Sequence, residues 1–152
     1  MNIFGIDFTS VPSKKKPITC ISARYDAKIL RVDGLHELTS FEAFEGLLAA
    51  SGPWVAGIDF PFSQPRKLIE NLDWPETWEG VVGKIAGMSK AEFLELLADY
   101  RSTRPSGDKQ HLRQIDALAD SRSPMMVYGV PVGRMFFEGA PRLLRSGANI
   151  LP

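Results

Sequence analysis

With 152 residues, 44% of them hydrophobic and 24% charged, the chain has an ordinary globular composition and a length that suits one domain rather than two. Eighteen basic and eighteen acidic side chains cancel, so no global field draws the molecule to nucleic acid or to an anionic membrane. A single cysteine, Cys20, excludes an intrachain disulfide framework and a cysteine metal cluster, and no apolar run approaches the ~20 residues of a membrane-spanning helix.

The first predicted element is a strand over Asn2 to Phe8. It carries the tetrapeptide Gly5-Ile6-Asp7-Phe8, which recurs as Gly57-Ile58-Asp59-Phe60 inside a second short apolar run, Trp54 to Phe60. Both runs read as buried strands, where an ionised carboxylate costs free energy unless a cation or donors compensate it. Alternation with period 2 puts each Asp on the same face as the Gly two residues earlier, leaving room beside the carboxylate. If the two strands are parallel neighbours in register, the carboxylates lie roughly 5 Å apart. Such a pair either shares a proton or binds a cation. The amino terminus opens directly on this strand rather than on a leader, so cytoplasmic residence is the default expectation.

A polar loop from Thr9 to Pro17 follows, with Lys14-Lys15-Lys16 at its tip; a solvated hairpin tip and a phosphate contact are its two readings. Ile18 to Tyr25 reads as a strand holding Cys20 as a buried small residue, Asp26-Ala27 as a turn, and Lys28 to Leu38 as a third strand interrupted by a turn or bulge at Asp33-Gly34. Thr39-Ser40-Phe41-Glu42 has capping-box spacing, with Phe41, Phe44, Leu47 and Leu48 at helical intervals behind it and Gly52-Pro53 as the stop. The second Gly-Ile-Asp-Phe strand comes next, so the helix before it is a crossover.

Beyond Phe60 the pattern turns helical. Expected helices run from Gln64 to Leu72, from about Asp73-Pro75 through Val82, from the capping box Ser89–Glu92 through Tyr100, from Lys109 to Arg122, and from Pro131 to Ser146, the last bent near Gly139 and Pro141 and ended by Gly147. Val127 to Val130 could form a small strand. Charge is uneven along the way: Lys and Arg outnumber Asp and Glu by six to three over residues 1–35 and by eight to four over 101–152, while acids lead by eleven to four between. The two ends would make a basic surface if they met; scattered surface charge is the competing reading.

The segments Phe4 to Ser10, Ala56 to Phe62, Arg113 to Asp116, Ser123 to Met126 and Gly133 to Gly139 together give the chain its resemblance to a known group. It resembles ribonuclease-H-like domains, and more narrowly the predicted-nuclease family known as domain of unknown function 429. The resemblance covers most of the chain. It implies an α/β fold with a mixed sheet: a three-strand antiparallel meander, a crossover helix, and a fourth strand parallel to the first, followed by a helical carboxyl-terminal half. Residues 1–152 would then be a single ribonuclease-H-like domain. The fifth strand usual in that superfamily has no counterpart, which implies either a truncated domain or a second chain, another copy included, covering the sheet edge.

The resemblance also implies a metal-dependent nuclease, a phosphodiesterase in which carboxylates hold Mg²⁺ or Mn²⁺. By position Asp7 and Asp59 match the two strand acids. A third acid would come from the Lys109–Arg122 helix, where Asp116 borders the apolar edge and is preferred, with Asp120 one turn on. The competing reading makes Lys109, Arg113, Asp116 and Asp120 a stripe of ion pairs. Arg101, Arg104, Arg113, Arg122 and Arg134 are the candidates for contacts to a nucleic-acid backbone. Thr9 and Ser10, after the first strand, are candidate substrate contacts, although this stretch lacks the glycine of the phosphate-binding hairpin in actin-like ATPases and sugar kinases.

Other chemistry finds less footing. His36 and His111 make no zinc pattern, and a surface position is expected for His111. Ser123 lacks a nucleophile-elbow context, and the tryptophans read as packing. The rival function is a non-catalytic binding or assembly module that keeps the fold.

Overall fold

The structure is a computed structural model that describes residues 1–151. It comprises two compact units, one built from residues 1–60 together with the stretch from Ser146, the other spanning Pro61–Arg145.

The first unit is a four-stranded sheet and one helix. Strands β1 (Asn2–Asp7), β2 (Ile18–Asp26) and β3 (Ile29–Leu38) form the antiparallel meander that the turn signals indicated, and β4 (Trp54–Asp59) joins the far side of β1, giving the order β3-β2-β1-β4. β1 and β4 are parallel, as the resemblance implied. The β2–β3 hairpin turns on Ala27 and Lys28, both at positive φ, the geometry that a two-residue hairpin loop requires. The expected irregularity in β3 is present: Ser22 pairs with Gly34 and Ala23 with Val32, so Asp33 is the extra residue of a bulge, and Arg24 grips its carboxylate at 2.8 Å.

Helix α1 (Phe41–Leu48) is the crossover between β3 and β4. Its cap is Ser40 rather than Thr39: the Ser40 side chain accepts from the Ala43 N–H at 3.3 Å. The helix starts one residue later than the capping-box spacing suggested, and Phe44 and Leu48 are its buried residues. Phe8 is the hub of this core, with ring centroids 4.9 Å from Phe60 and 5.2 Å from Phe44, and Ile18 and Cys20 are completely buried. Cys20 is the buried small residue expected from its apolar surroundings, and burial pushes its thiol pKa up.

The second unit is helical: α2 (Arg66–Asn71), α3 (Trp78–Ala86), α4 (Lys90–Ser102), α5 (Gln114–Leu118) and α6, which runs Val132–Ser146. Thr77 caps α3, and Ser89 with Glu92 closes the capping box read at the start of α4. Its core gathers Leu68, Val82, Ile85, Phe93, Leu97, Met125 and Phe136, all fully buried. Val127 to Val130 forms no strand, so that expectation is corrected. Instead this loop packs against the start of α6, where the Gly133 N–H donates to the Met126 carbonyl at 2.7 Å. A Cβ on Gly133 would stand 2.7 Å from the Pro124 carbonyl oxygen and 3.1 Å from that of Met126. Gly133→Ala is therefore expected to destabilise this unit by about 1–3 kcal/mol, as overpacking does. A denaturant titration following helical circular dichroism measures it.

The largest departure from expectation is α5. The predicted helix from Lys109 to Arg122 contracts to Gln114–Leu118. Tertiary contacts capture its first turn: Ser123 Oγ donates to the His111 carbonyl at 2.6 Å, and the His111 N–H donates to the Met125 sulfur at 3.3 Å. At the other end Asp120 adopts a positive φ of 49°, which ends the helix.

Candidate functional site

The two strand aspartates meet. β1 and β4 pair in register residue for residue, so Gly5 faces Gly57 and Asp7 faces Asp59. Adjacent strands are about 4.8 Å apart, which sets the spacing of the two Cα atoms. Both acids are the last residues of their strands, and both carboxylates project from the same face. The chain turns sharply beyond Asp59, where the Phe60 N–H donates back to the Ile58 carbonyl at 3.0 Å.

One part of the sequence reading needs correction. The strands are buried on one face only, and Asp7 and Asp59 stand on the other, where both are exposed. Desolvation therefore does not force a cation on them; the proximity of two like charges remains as the reason to bind one. The glycines act as expected, since a Cβ on Gly5 or on Gly57 would meet nothing within 4 Å. Pairing extends this row across the sheet to Thr19 and Glu37, but Glu37 lies two strands from Asp7, roughly 10 Å by strand spacing. Among the described residues no group of three or more His, Cys, Asp or Glu side chains is placed to hold a metal.

The loop leaving Asp7 buries Thr9 and Ser10, at 7% and 8% exposure. Further along it, Ser13 and Lys16 exchange backbone hydrogen bonds, and the tight turn between them presents Lys14, Lys15 and Lys16 to solvent.

The remaining predicted site residues belong to the helical unit. Asp116 is 2% exposed and held by Arg113, whose Nη2 donates at 2.6 Å and Nε at 2.9 Å. The Arg113 backbone N–H donates to the same carboxylate at 2.9 Å, and Ser121 Oγ adds a longer contact. Burial pushes the Asp116 pKa up, but the hydrogen bonds and charge of Arg113, helped by Ser121, outweigh it and the net direction is down. The ion-pair reading of this stretch thus describes Arg113 and Asp116, in a buried form rather than as an exposed stripe. Asp120 and Arg122 are exposed, and Arg134 is half-buried. The Arg101 guanidinium stacks 5.3 Å from the Tyr128 ring centroid, and Arg104 pairs with Asp108.

His111 was expected at the surface and is buried, at 7% exposure. Asn71 Nδ2 donates to the Tyr100 hydroxyl at 2.7 Å, which leaves the phenol proton to go to His111 Nε2, also at 2.7 Å. The ring proton then sits on Nδ1, which faces Asp108 Oδ1 at 3.4 Å. Asp108 also receives Lys67 at 2.7 Å, and Lys67 and Arg104 hold its pKa below the usual value against burial. No sequence pattern marks this relay, because its members come from α2, α4 and the irregular stretch before α5.

Burial lowers the His111 pKa from its ordinary 6.5; Asp108 opposes the shift, and Lys67 and Arg104 add to it. The folded unit therefore prefers the neutral ring. Between the depressed pKa and 6.5 the unfolded chain binds more protons than the folded one, so stability present above 6.5 is lost as pH falls through that window. The carboxylates contribute only at lower pH, because the pKa values of Asp108 and Asp116 lie below 3.8. The expected result is a melting temperature that drops as pH falls below 6.5, with the drop flattened in His111→Gln.

A cavity of about 450 Å³ opens in the same unit between α2 and α3, with Gln64, Trp78 and Arg113 among its lining residues. Sequence reasoning did not identify it. No helix of the described residues is long and apolar enough to cross a membrane. The chain matches no protein-family model, no curated protein and no solved structure.

Proposed function

We propose that the protein is a divalent-metal-dependent phosphodiesterase acting on nucleic acid, built on a ribonuclease-H-like sheet, with Asp7 and Asp59 as the metal-binding pair. The observation that carries this reading is the in-register pairing of the two aspartates at the ends of parallel neighbouring strands. Mg²⁺ is commonly held by one or two carboxylates, with waters and substrate phosphate oxygens completing its shell. Two acids thus suffice for such an ion, and Mn²⁺ would take the same ligands. The ion would polarise the phosphoryl oxygen and lower the pKa of a bound water. The open space over Gly5 and Gly57 gives a phosphodiester access to the carboxylates, and Lys14 to Lys16 supply positive charge on the loop leaving Asp7. Asp116 stays outside the proposed ligand set, because Arg113 occupies its carboxylate.

The test is cleavage of single- and double-stranded DNA and RNA oligonucleotides with Mn²⁺ or Mg²⁺. Cleavage that EDTA abolishes supports the reading, and the absence of cleavage of all four with either ion removes it.

A second reading, an assembly module in which another copy covers the sheet, is favoured by one observation. The face bearing the acids also exposes Ile21, Leu35 and Val55 at 45%, 63% and 43%. Light scattering over a concentration series separates the two: a dimer whose dissociation follows Leu35→Lys supports the module.

A further inference from the structure

A second cavity in the helical unit, of about 420 Å³, is lined by the start of α2 and by the stretch that leads into α5. Its size is that of a small-molecule pocket. Three of its lining residues are cations, Arg66 and Lys67 from α2 and Arg113 at the cap of α5, and none is an acid. Leu112 and Gln114, both exposed, add apolar and amide surface.

The carboxylates that pair with these cations leave a positive surplus on this side. Lys67 and Arg104 share one acid, Asp108, the first donating to its Oδ1 and the second to its Oδ2. Two cations on one carboxylate leave one positive charge over. Asp108 is outside the lining, as are Asp116, which holds Arg113, and Glu70, which pairs with Arg66. Glu70 and Glu76, the acids that act on Arg66, line the cavity between α2 and α3 instead.

Donors remain on these cations. Lys67, with 53% of its side chain exposed, spends one of three N–H groups on Asp108. His111, also in the lining, sets its Nδ1 3.4 Å from the same Asp108 oxygen, which keeps the ammonium beside the cavity wall. Arg66, at 87% side-chain exposure, gives Glu70 its Nε and keeps both Nη groups. An anion placed here accepts charge-assisted hydrogen bonds, roughly twice as strong as neutral ones.

We propose that this cavity binds a phosphomonoester, its phosphate on Lys67 and Arg66 and its organic group against Leu112. The cavity is several times larger than a phosphate ion, so an ester fills it where free phosphate would not. The proposal is independent of the metal reading, because none of these residues belongs to the acid pair.

The test is isothermal titration of the full chain with phenyl phosphate and with phenol, at fixed ionic strength and about pH 7.5, where His111 is neutral. EDTA is present throughout, so that no divalent ion bridges the phosphate to Asp7 and Asp59. Phenyl phosphate is expected to bind and phenol, which lacks the charge, to bind at least about tenfold more weakly. Lys67→Gln should weaken phenyl phosphate at least about tenfold, the loss of one hydrogen bond to a charged group. Should that variant fail to fold, Arg66→Gln, at a side chain that is almost wholly in solvent, is expected to weaken it in the same direction. No binding of phenyl phosphate at millimolar concentration, equal binding of phenol, or full binding by folded Lys67→Gln or Arg66→Gln protein overturns the proposal.

Discussion

Replacing Asp59 by Asn is expected to lower Mn²⁺-dependent hydrolysis by at least about a hundredfold, since loss of partners one shell further out already costs 10–100-fold at metal sites. The same substitution should leave the fold intact. Asp59 is exposed, ends an edge strand, and stands over the open space beside Gly57, so no buried contact is lost with its charge. Asp7→Asn should behave alike, because the paired register makes the two acids equivalent in position. Oligonucleotide cleavage followed by gel electrophoresis, with melting curves recorded in EDTA, separates lost chemistry from lost structure. Comparable cleavage by both variants would remove Asp7 and Asp59 from the mechanism.

Asp116→Ala is expected to do the opposite: to cost stability whether or not metal is present. Removing one partner of a buried ion pair leaves the other uncompensated and costs about 3–5 kcal/mol. Arg113 retains 23% side-chain exposure, so water relieves part of that penalty and the lower end, about 3 kcal/mol, is expected. For a chain of this size that corresponds to a melting temperature lower by about 6–12 °C. The substitution also removes the acceptor for the Arg113 backbone N–H at the start of α5. Equal destabilisation in EDTA and in Mn²⁺ is the expected result of differential scanning calorimetry. A loss confined to Mn²⁺ would instead make Asp116 a metal ligand.

The strand half of the chain was readable because its signals are local. Turn residues, strand alternation and the Ser40 region set out the order of strands and crossover helix, and the repeated Gly-Ile-Asp-Phe marked the two strands that became neighbours. Burial was misjudged there because Ile3, Gly5, Ile21 and Val55 on the outer face look as apolar as residues of a covered one, and periodicity does not report whether anything covers a face. In the helical half, caps written in neighbouring residues were legible, as at Ser89 and Glu92. Contacts between distant segments were not. The hold of Ser123 and Met125 on His111 shortened α5, and the same hold set His111 against Tyr100. Asp116 had the right neighbour in sequence, Arg113, but its burial depends on how that stretch folds.

The central claim is that Asp7 and Asp59 together hold one divalent ion, and direct titration of Mn²⁺ into the full chain, by calorimetry or by the loss of the free-ion electron paramagnetic resonance signal, tests it without reference to substrate. The account predicts saturable binding of Mn²⁺ in the wild type that either Asp7→Asn or Asp59→Asn removes. Mn²⁺ binding unchanged in both variants, or none in the wild type, would contradict it.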